Sequence, residues 1–215
     1  MKMVIAIDGP AASGKSSVAR RLARLLGFNY VNSGTIYRAV TWELLRQQVD
    51  PARTESVEAA IGRISIDCGF TEKGESFVRV NSYIPDVELR GIEVNQNVSA
   101  VSAIPAVRRL IVNRLRALTE QHNVVMEGRD IGTAVFPDTP FKFYLDAHPD
   151  VRRKRRAAEG QEDSIEQRDK IDSTRSEAPL AIAPNACVVD TSHLTLDGVV
   201  EAISGNLKKS GLMPE

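Results

Sequence analysis

The chain is short of several things, and each shortage excludes a class of protein. Two cysteines, Cys68 and Cys187, are too few for a disulfide framework, and no nearby His or Cys suggests zinc. Free thiols of this kind predict a reducing compartment, the cytoplasm. One Trp, four Tyr and six Phe leave no stacking platform for single-stranded nucleic acid. Charge of one sign is also missing, with 28 Lys and Arg against 28 Asp and Glu, so an anion site must be local rather than a basic coat. No apolar run approaches the roughly 18–20 residues of a membrane span, and the apolar start before Asp8 is too short for a signal peptide. The chain is therefore read as soluble, with neither a membrane nor a nucleic acid as partner.

What is present fits one globular unit: 215 residues, 42% hydrophobic and 26% charged. Val4-Ile5-Ala6-Ile7 is a continuous β-prone run, the mark of a strand buried on both faces of a parallel sheet. Val18, Leu22, Leu25 and Leu26 recur at helical spacing before Gly27, a natural helix stop. Further strands are predicted at 28–31, 124–126, 141–145 and 186–189, and helices at 35–48, at 51–62, from Pro105 through Leu118, and at 196–207 with Thr195 as N-cap. Residues 63–94 alternate in the manner of strands around a turn at 71–74 and read as a β-rich insertion. Residues 151–175 are charged, and the tail from Ser210 is expected to fray. Strands alternating with helices predict an α/β fold, a five-stranded parallel sheet with helices on both faces.

Gly9-Pro10-Ala11-Ala12-Ser13-Gly14-Lys15-Ser16 matches G-x-x-x-x-G-K-[ST] and lies between that first strand and first helix. In that setting backbone N–H groups and a helix N-terminus converge on phosphate oxygens. Lys15 can reach the β- and γ-phosphates of a nucleoside triphosphate, Ser16 can offer its hydroxyl to Mg²⁺, and Ser17 follows in the same turn. A dinucleotide G-x-G-x-x-G and a guanine-reading N-K-x-D are both absent. The donor is thereby narrowed to a triphosphate; the acceptor must be read elsewhere.

Three more clusters bear on it. Asn32-Ser33-Gly34-Thr35-Ile36-Tyr37-Arg38 follows the second strand, where such folds bind ligands, although Arg38 alone fits a solvated surface residue better. Glu127-Gly128-Arg129-Asp130-Ile131-Gly132-Thr133 puts two carboxylates and a guanidinium beyond a strand end, as a site or as structural ion pairs. Arg168, Asp172 and Arg175 share a helix face, as a binding edge or a solvent-exposed ladder. Arg152, Arg153, Lys154, Arg155 and Arg156 crowd like charges together, which suits either a nucleic-acid patch or phosphates under a closing segment.

Taken in order, these motifs, with Val135-Phe136-Pro137, Ala178-Pro179-Leu180 and Asp190-Thr191, make the chain resemble the bacterial cytidylate kinases over almost its whole length. The resemblance implies transfer of the γ-phosphoryl group of ATP, with Mg²⁺, to cytidine or deoxycytidine monophosphate. It implies a core domain (1–62, 95–150 and 176–215), a β-rich insertion in the monophosphate-binding region (63–94) and a short mobile lid (151–175). It also implies roles: Arg38 and Arg129 on the acceptor phosphate with Ser33 and Tyr37 beside them, and Ser99, Asp130 and Arg108 on the cytosine edge. Asp172 and Arg168 would take the sugar, Arg175 a phosphate, and Arg152 and Arg156 would close on the transferring group.

Two departures stand out. Asn32 occupies a position where the family commonly has Asp, so it could serve a metal only as a neutral ligand, directly or through water. The stretch between Arg156 and Arg168 is short beside the longer helical segment of many family members. The rival readings are a small kinase for adenylate, uridylate or shikimate, of which a shikimate or simple adenylate enzyme would have no use for the insertion, Ser99 and Arg108, and a nucleic-acid-stimulated ATPase contacting its ligand through Arg152 to Arg156. No stretch reads a purine, so ATP and GTP stay open as donors. The chain can bury its own core, and a monomer is the default expectation.

Overall fold

The computed structural model describes residues 2–158, 160 and 165–212. Its centre is a parallel sheet in which β1 (Val4–Asp8) lies between β5 (Val124–Glu127) and β6 (Phe141–Asp146), with β2 (Asn29–Asn32) and β7 (Cys187–Asp190) at the edges. Successive residues of β1 face opposite layers. Val4 and Ala6 join Val124 and Met126 beneath α2 (Ser33–Arg46) and α5 (Pro105–Leu118). Ile5 and Ile7 join Val125, Phe143 and Leu145 beneath α1 (Lys15–Leu26) and α8 (Leu196–Lys209). Both faces being covered is why the run Val4 to Ile7 has no polar alternation.

Local sequence sets the helix ends. Helix α1 buries Val18, Ala19, Leu22 and Ala23 on one face and stops at Gly27, whose N–H caps the carbonyls of Ala23 and Arg24. Leu22 is fully buried, and truncating it to Ala would cost about 2–5 kcal/mol. Pro105 opens α5 at its first turn, where a missing N–H loses no helical bond. Helix α2 begins at Ser33, before the expected 35, because Asn32 accepts a bond from the Thr35 amide and caps it. Thr195 caps α8 in the same way through the Gly198 amide.

Helix α3 (Thr54–Ile61) lies inside the expected 51–62, and within 63–94 the strands are β3 (Ile66–Phe70) and β4 (Ser76–Val80), an antiparallel hairpin. A 3₁₀ turn (Val87–Arg90) follows, then α4 (Ile92–Ala103), which the sequence pattern did not predict. Helix α4 buries Asn95, Ser99 and Ser102 together with Val94, Val98 and Val101, so polar residues interrupt the apolar period that would reveal it. The hairpin turn docks on the sheet edge: the Tyr30 amide donates to the Gly74 carbonyl at 2.8 Å. The charged stretch 151–175 forms α6 (Pro149–Ala158) and α7 (Ile165–Thr174). Of that stretch, residues 159 and 161–164 lie outside the described residues, as do 213–215 of the tail.

Candidate active site

The cleft opens at the carboxyl ends of β1, β2 and β5, has a volume of about 590 Å³, and is walled by α2, α4 and α7. Its donor side is the loop after β1. Gly9 has φ 147°, and a Cβ there would stand 2.0 Å from the Leu145 carbonyl oxygen, so only glycine lets the loop pass under β6. Ala12 through Ser17 line the cleft. Lys15 is buried and folds back, donating to the Pro10 carbonyl at 2.5 Å and to Ser13 Oγ at 3.2 Å. Burial, and secondarily the charge of Arg129, pull its pKa down to about 7 against the opposing carboxylates of Glu127, Asp169 and Asp8. An ammonium held this reluctantly gains most from an incoming polyphosphate.

The floor is a set of carboxylates. Glu127 ends β5 beside β1, is buried, and accepts a 2.5 Å bond from the Tyr30 hydroxyl. The ring of Tyr30 lies under the Arg20 guanidinium at 4.6 Å, and Arg20 pairs with Glu75 of the hairpin at 2.9 Å. Asn32 stands opposite Glu127 in the sheet register and donates to the Tyr30 hydroxyl at 3.4 Å. Gly128 passes so close to Ser33 that a Cβ would meet its Oγ at 2.6 Å, while that hydroxyl donates to the Glu127 carbonyl at 2.8 Å. Asp8 accepts from the amides of Ile131 and Gly132 at 2.8 and 2.7 Å, fixing the single π-helical turn Ile131–Val135 against the end of β1. Burial outweighs those two bonds and raises Asp8 to about 6.

On the far side, Asp130 is pinched between two guanidiniums. Arg108 Nη2 bonds one carboxylate oxygen, and Arg175 Nη2 stands 3.3 Å from the other. Desolvation pushes the buried Arg175 below its usual pKa, and Asp130 partly restores it. The Tyr37 hydroxyl is buried beside them without a hydrogen-bond partner among the described residues. Arg129 Nε bonds Asp172 Oδ2 at 3.0 Å, tying the end of β5 to α7. Arg38 donates to the Leu89 carbonyl at 2.8 Å and to Asn95 Oδ1 at 2.7 Å, which stations it against α4.

The cleft therefore gathers Ser33, Tyr37, Arg38, Ser99, Arg129, Asp130, Arg156, Arg168, Asp172 and Arg175 opposite the phosphate loop. Arg108 sits behind Asp130, and Gly9 and Pro10 form the root of the loop. Arg152 does not line the cleft: it is buried behind the loop, with Nη1 on the Ala11 carbonyl at 3.2 Å. Sequence reasoning passed over Tyr30, Arg20 and Glu75, whose partners come from separate segments, and gave Glu127, Asp8 and Asp169 no role of their own. For Glu127 a signal was available, a carboxylate closing an apolar strand.

Comparison with known proteins shows the family. The family model described as cytidylate kinase matches residues 5–209. The chain belongs to the cytidylate kinase family. The cytidylate kinase of Caldanaerobacter subterraneus subsp. tengcongensis is 40% identical to it, the alignment covering 96% of this chain and 95% of the relative. That of Corynebacterium efficiens is 44% identical over 92% and 91%, and that of Limosilactobacillus reuteri 41% over 96% and 95%. As a cytidylate kinase family member the chain is a nucleoside monophosphate kinase, a phosphotransferase. Among the described residues no helix is long and apolar enough to cross a membrane.

Proposed function

We propose that the protein transfers the γ-phosphoryl group of ATP to cytidine monophosphate or deoxycytidine monophosphate, giving ADP and the corresponding diphosphate. The observation that carries this is Asp130, pinned between Arg108 and Arg175 beside the Tyr37 hydroxyl, which has no partner among the described residues, across the cleft from Lys15. A fixed carboxylate accepts from the exocyclic amino group of cytosine and repels the carbonyl that uracil carries there. Ser99 is buried on the same wall and suits the remaining acceptors of the cytosine edge, while Arg108 holds Asp130 from behind.

The other residues divide the phosphates and the sugar. Arg38 and Arg129 hold the acceptor phosphate, with the Tyr37 hydroxyl as donor to it and Ser33 beside them, and Arg175 adds charge from the Asp130 wall. Asp172 and Arg168 take the sugar hydroxyls. The loop 9–17, through backbone amides that follow Pro10 and Ala11, cradles the triphosphate with Lys15, and Arg156 meets the transferring group from α6. The acceptor is a phosphate oxygen already ionised near neutral pH, so position and charge matter more than a general base.

The residues present fit Mg²⁺. Ser16 Oγ, the Glu127 carboxylate and Asn32 Oδ1 are hard oxygen donors at one side of the cleft, the set this ion takes while retaining waters. Bound there, Mg²⁺ supplies neutralisation of the β- and γ-phosphate charge. The domain reading is that the hairpin stretch 63–94 belongs to the monophosphate-binding region and that 151–175 acts as a short lid over a cytoplasmic, monomeric enzyme. The cations of α6 argue against a nucleic-acid face, because Arg152 pairs with Asp169, Arg153 with Asp150 and Glu166, and Arg155 with Thr191.

The test is ADP release with ATP and Mg²⁺ against cytidine, deoxycytidine, uridine and adenosine monophosphates and shikimate. Strong preference for the two cytidine nucleotides is expected. Equal or absent stimulation by all five would remove the acceptor assignment, and stimulation by RNA instead would favour the ATPase reading.

A further inference from the structure

Arg152 and Asp169 grip one residue of the phosphate loop from two helices. Ala11 offers its amide to Asp169 Oδ1 at 3.0 Å and its carbonyl to Arg152 Nη1 at 3.2 Å. The same Nη1 bonds Asp169 Oδ2, and Arg152 Nε donates to the Ala147 carbonyl at 3.1 Å, just before α6. Both side chains are largely out of solvent, Arg152 at 10% exposure and Asp169 at 15%. Arg152 Nε and Nη1, both Asp169 oxygens and both backbone groups of Ala11 have partners here, so it is a built contact and not a surface ion pair.

Its position gives it meaning. Helix α7 is anchored at two points three residues apart, Asp169 on the phosphate loop and Asp172 on Arg129 at the end of β5. One turn of one helix thus spans the donor and acceptor halves of the cleft. Arg168, which lines the cleft, is the immediate neighbour of the first anchor. On α6 Arg156, another cleft residue, follows Arg152 by one helical turn.

We propose that Arg152 and Asp169 form a clasp on Ala11 that sets the distance and angle between the phosphate loop and the acceptor-side residues of α7. They are positioning residues. Arg152 does not close on the transferring phosphate; it holds Asp169, and Asp169 holds the loop. A reaction between two bound phosphates depends steeply on their alignment, so loosening the clasp slows transfer while each nucleotide still finds its own half-site. The two residues should also act as one unit, since removing either opens the same contact.

The proposal rests on the phosphoryl-transfer reading, and the experiment separates their failures. Wild-type protein with ATP, Mg²⁺ and cytidine monophosphate is assayed first; no ADP release there removes the reading and the clasp with it. Given wild-type turnover, Asp169→Asn, Arg152→Met and the double variant are compared for kcat, both KM values, and calorimetric binding of ADP alone and of cytidine monophosphate alone. Each single variant should lose about 10- to 100-fold in kcat, with KM and the separate affinities within about threefold of wild type. The double variant should be no slower than the slower single.

Losses that multiply in the double variant would make the residues independent and overturn the clasp. So would a lower melting temperature with kcat unchanged, or a rise in the KM for ATP alone, which would make one of them a direct donor contact. Should those variants fold poorly, Arg152→Lys keeps the buried charge beside Asp169 but lacks the fork that reaches both carbonyls. It should keep the fold and still lose about tenfold in kcat; a folded Lys variant with wild-type kcat overturns the proposal.

Discussion

The Tyr30 hydroxyl donates to the Glu127 carboxylate at 2.5 Å, joining edge strand β2 to the strand that carries Arg129 and Asp130 past the cleft floor. Burial, and then the neighbouring Glu127, push the Tyr30 pKa upward, so it stays neutral and keeps its proton for this bond. Tyr30→Phe keeps the ring beneath Arg20 and removes the donor. It should cost about 1–3 kcal/mol, because a buried acceptor loses its partner. Urea unfolding at unchanged m-value measures this, and an unchanged midpoint would mean that Glu127 does not depend on Tyr30.

Lys15 should take up a proton when the donor binds. Its pKa in the free protein is about 7, so at pH 8 it is mostly neutral, and a triphosphate beside it favours the charged form. Calorimetric titration of ATP at pH 8 in buffers of different ionisation enthalpy should show close to one proton bound, and Lys15→Met should abolish it. Buffer-independent heats would contradict this. For the free protein the sign is the reverse of an ordinary paired lysine. The unfolded chain binds the extra proton between pH 7 and 10.5, so this residue's penalty is full below pH 7 and fades as pH rises through 10.5.

Asp8 gives a second pH signature. Its pKa rises from 3.8 to about 6 on folding, so the native state holds the extra proton between those values and stability from this group falls as pH climbs through them. Relative to Asp8→Asn, wild-type protein should lose up to about 3 kcal/mol of unfolding free energy between pH 4 and 6.5. Denaturant titrations at the two pH values provide the comparison. Parallel pH dependence in both proteins would place the titration elsewhere.

Asp130→Asn tests base selection. An amide can turn a donor toward the uracil carbonyl, so the ratio of kcat/KM for cytidine over uridine monophosphate should fall by at least about tenfold. Total activity should fall too, since Arg108 and Arg175 lose the charge that compensates them. An unchanged ratio with lower activity would leave Asp130 a structural counterion only.

Asn32→Asp should lower the Mg²⁺ concentration needed for half-maximal ADP release by several-fold, because a carboxylate replaces a neutral oxygen on an oxygen-seeking ion. The helix should tolerate it, as Asp caps α2 through the Thr35 amide as well as Asn does. A Mg²⁺ titration that does not move would take position 32 out of the metal's reach.

The central strands and the phosphate loop were legible because one local rule governs each: a run buried on both faces, and an eight-residue backbone motif bound to a strand–helix junction. Helix α4 was not, since Asn95, Ser99 and Ser102 face inward toward polar neighbours and the cleft, which erases the period a reader relies on. The acceptor-side residues were read from family motifs, and the cleft brings most of them together. Arg152 shows the limit of that route. The motif marks an arginine on α6 but carries no information on which way it faces, and its partners Ala11 and Asp169 come from distant segments. Tyr30, Arg20 and Glu75 were invisible for the same reason: Tyr30 meets Glu127 only across β2 and β5, and Arg20 meets Glu75 only where the hairpin docks.

That docking has a consequence beyond the site. By receiving the Tyr30 amide on Gly74, the hairpin turn occupies the open border of β2, a border that would otherwise offer free amides and carbonyls to a strand of another molecule. The opposite border, β7, is only four residues long, with Val188 half exposed. Substitutions that unseat the turn, such as loss of Glu75 from its pair with Arg20, should therefore show themselves first as a tendency to self-associate through the sheet, before the core itself gives way.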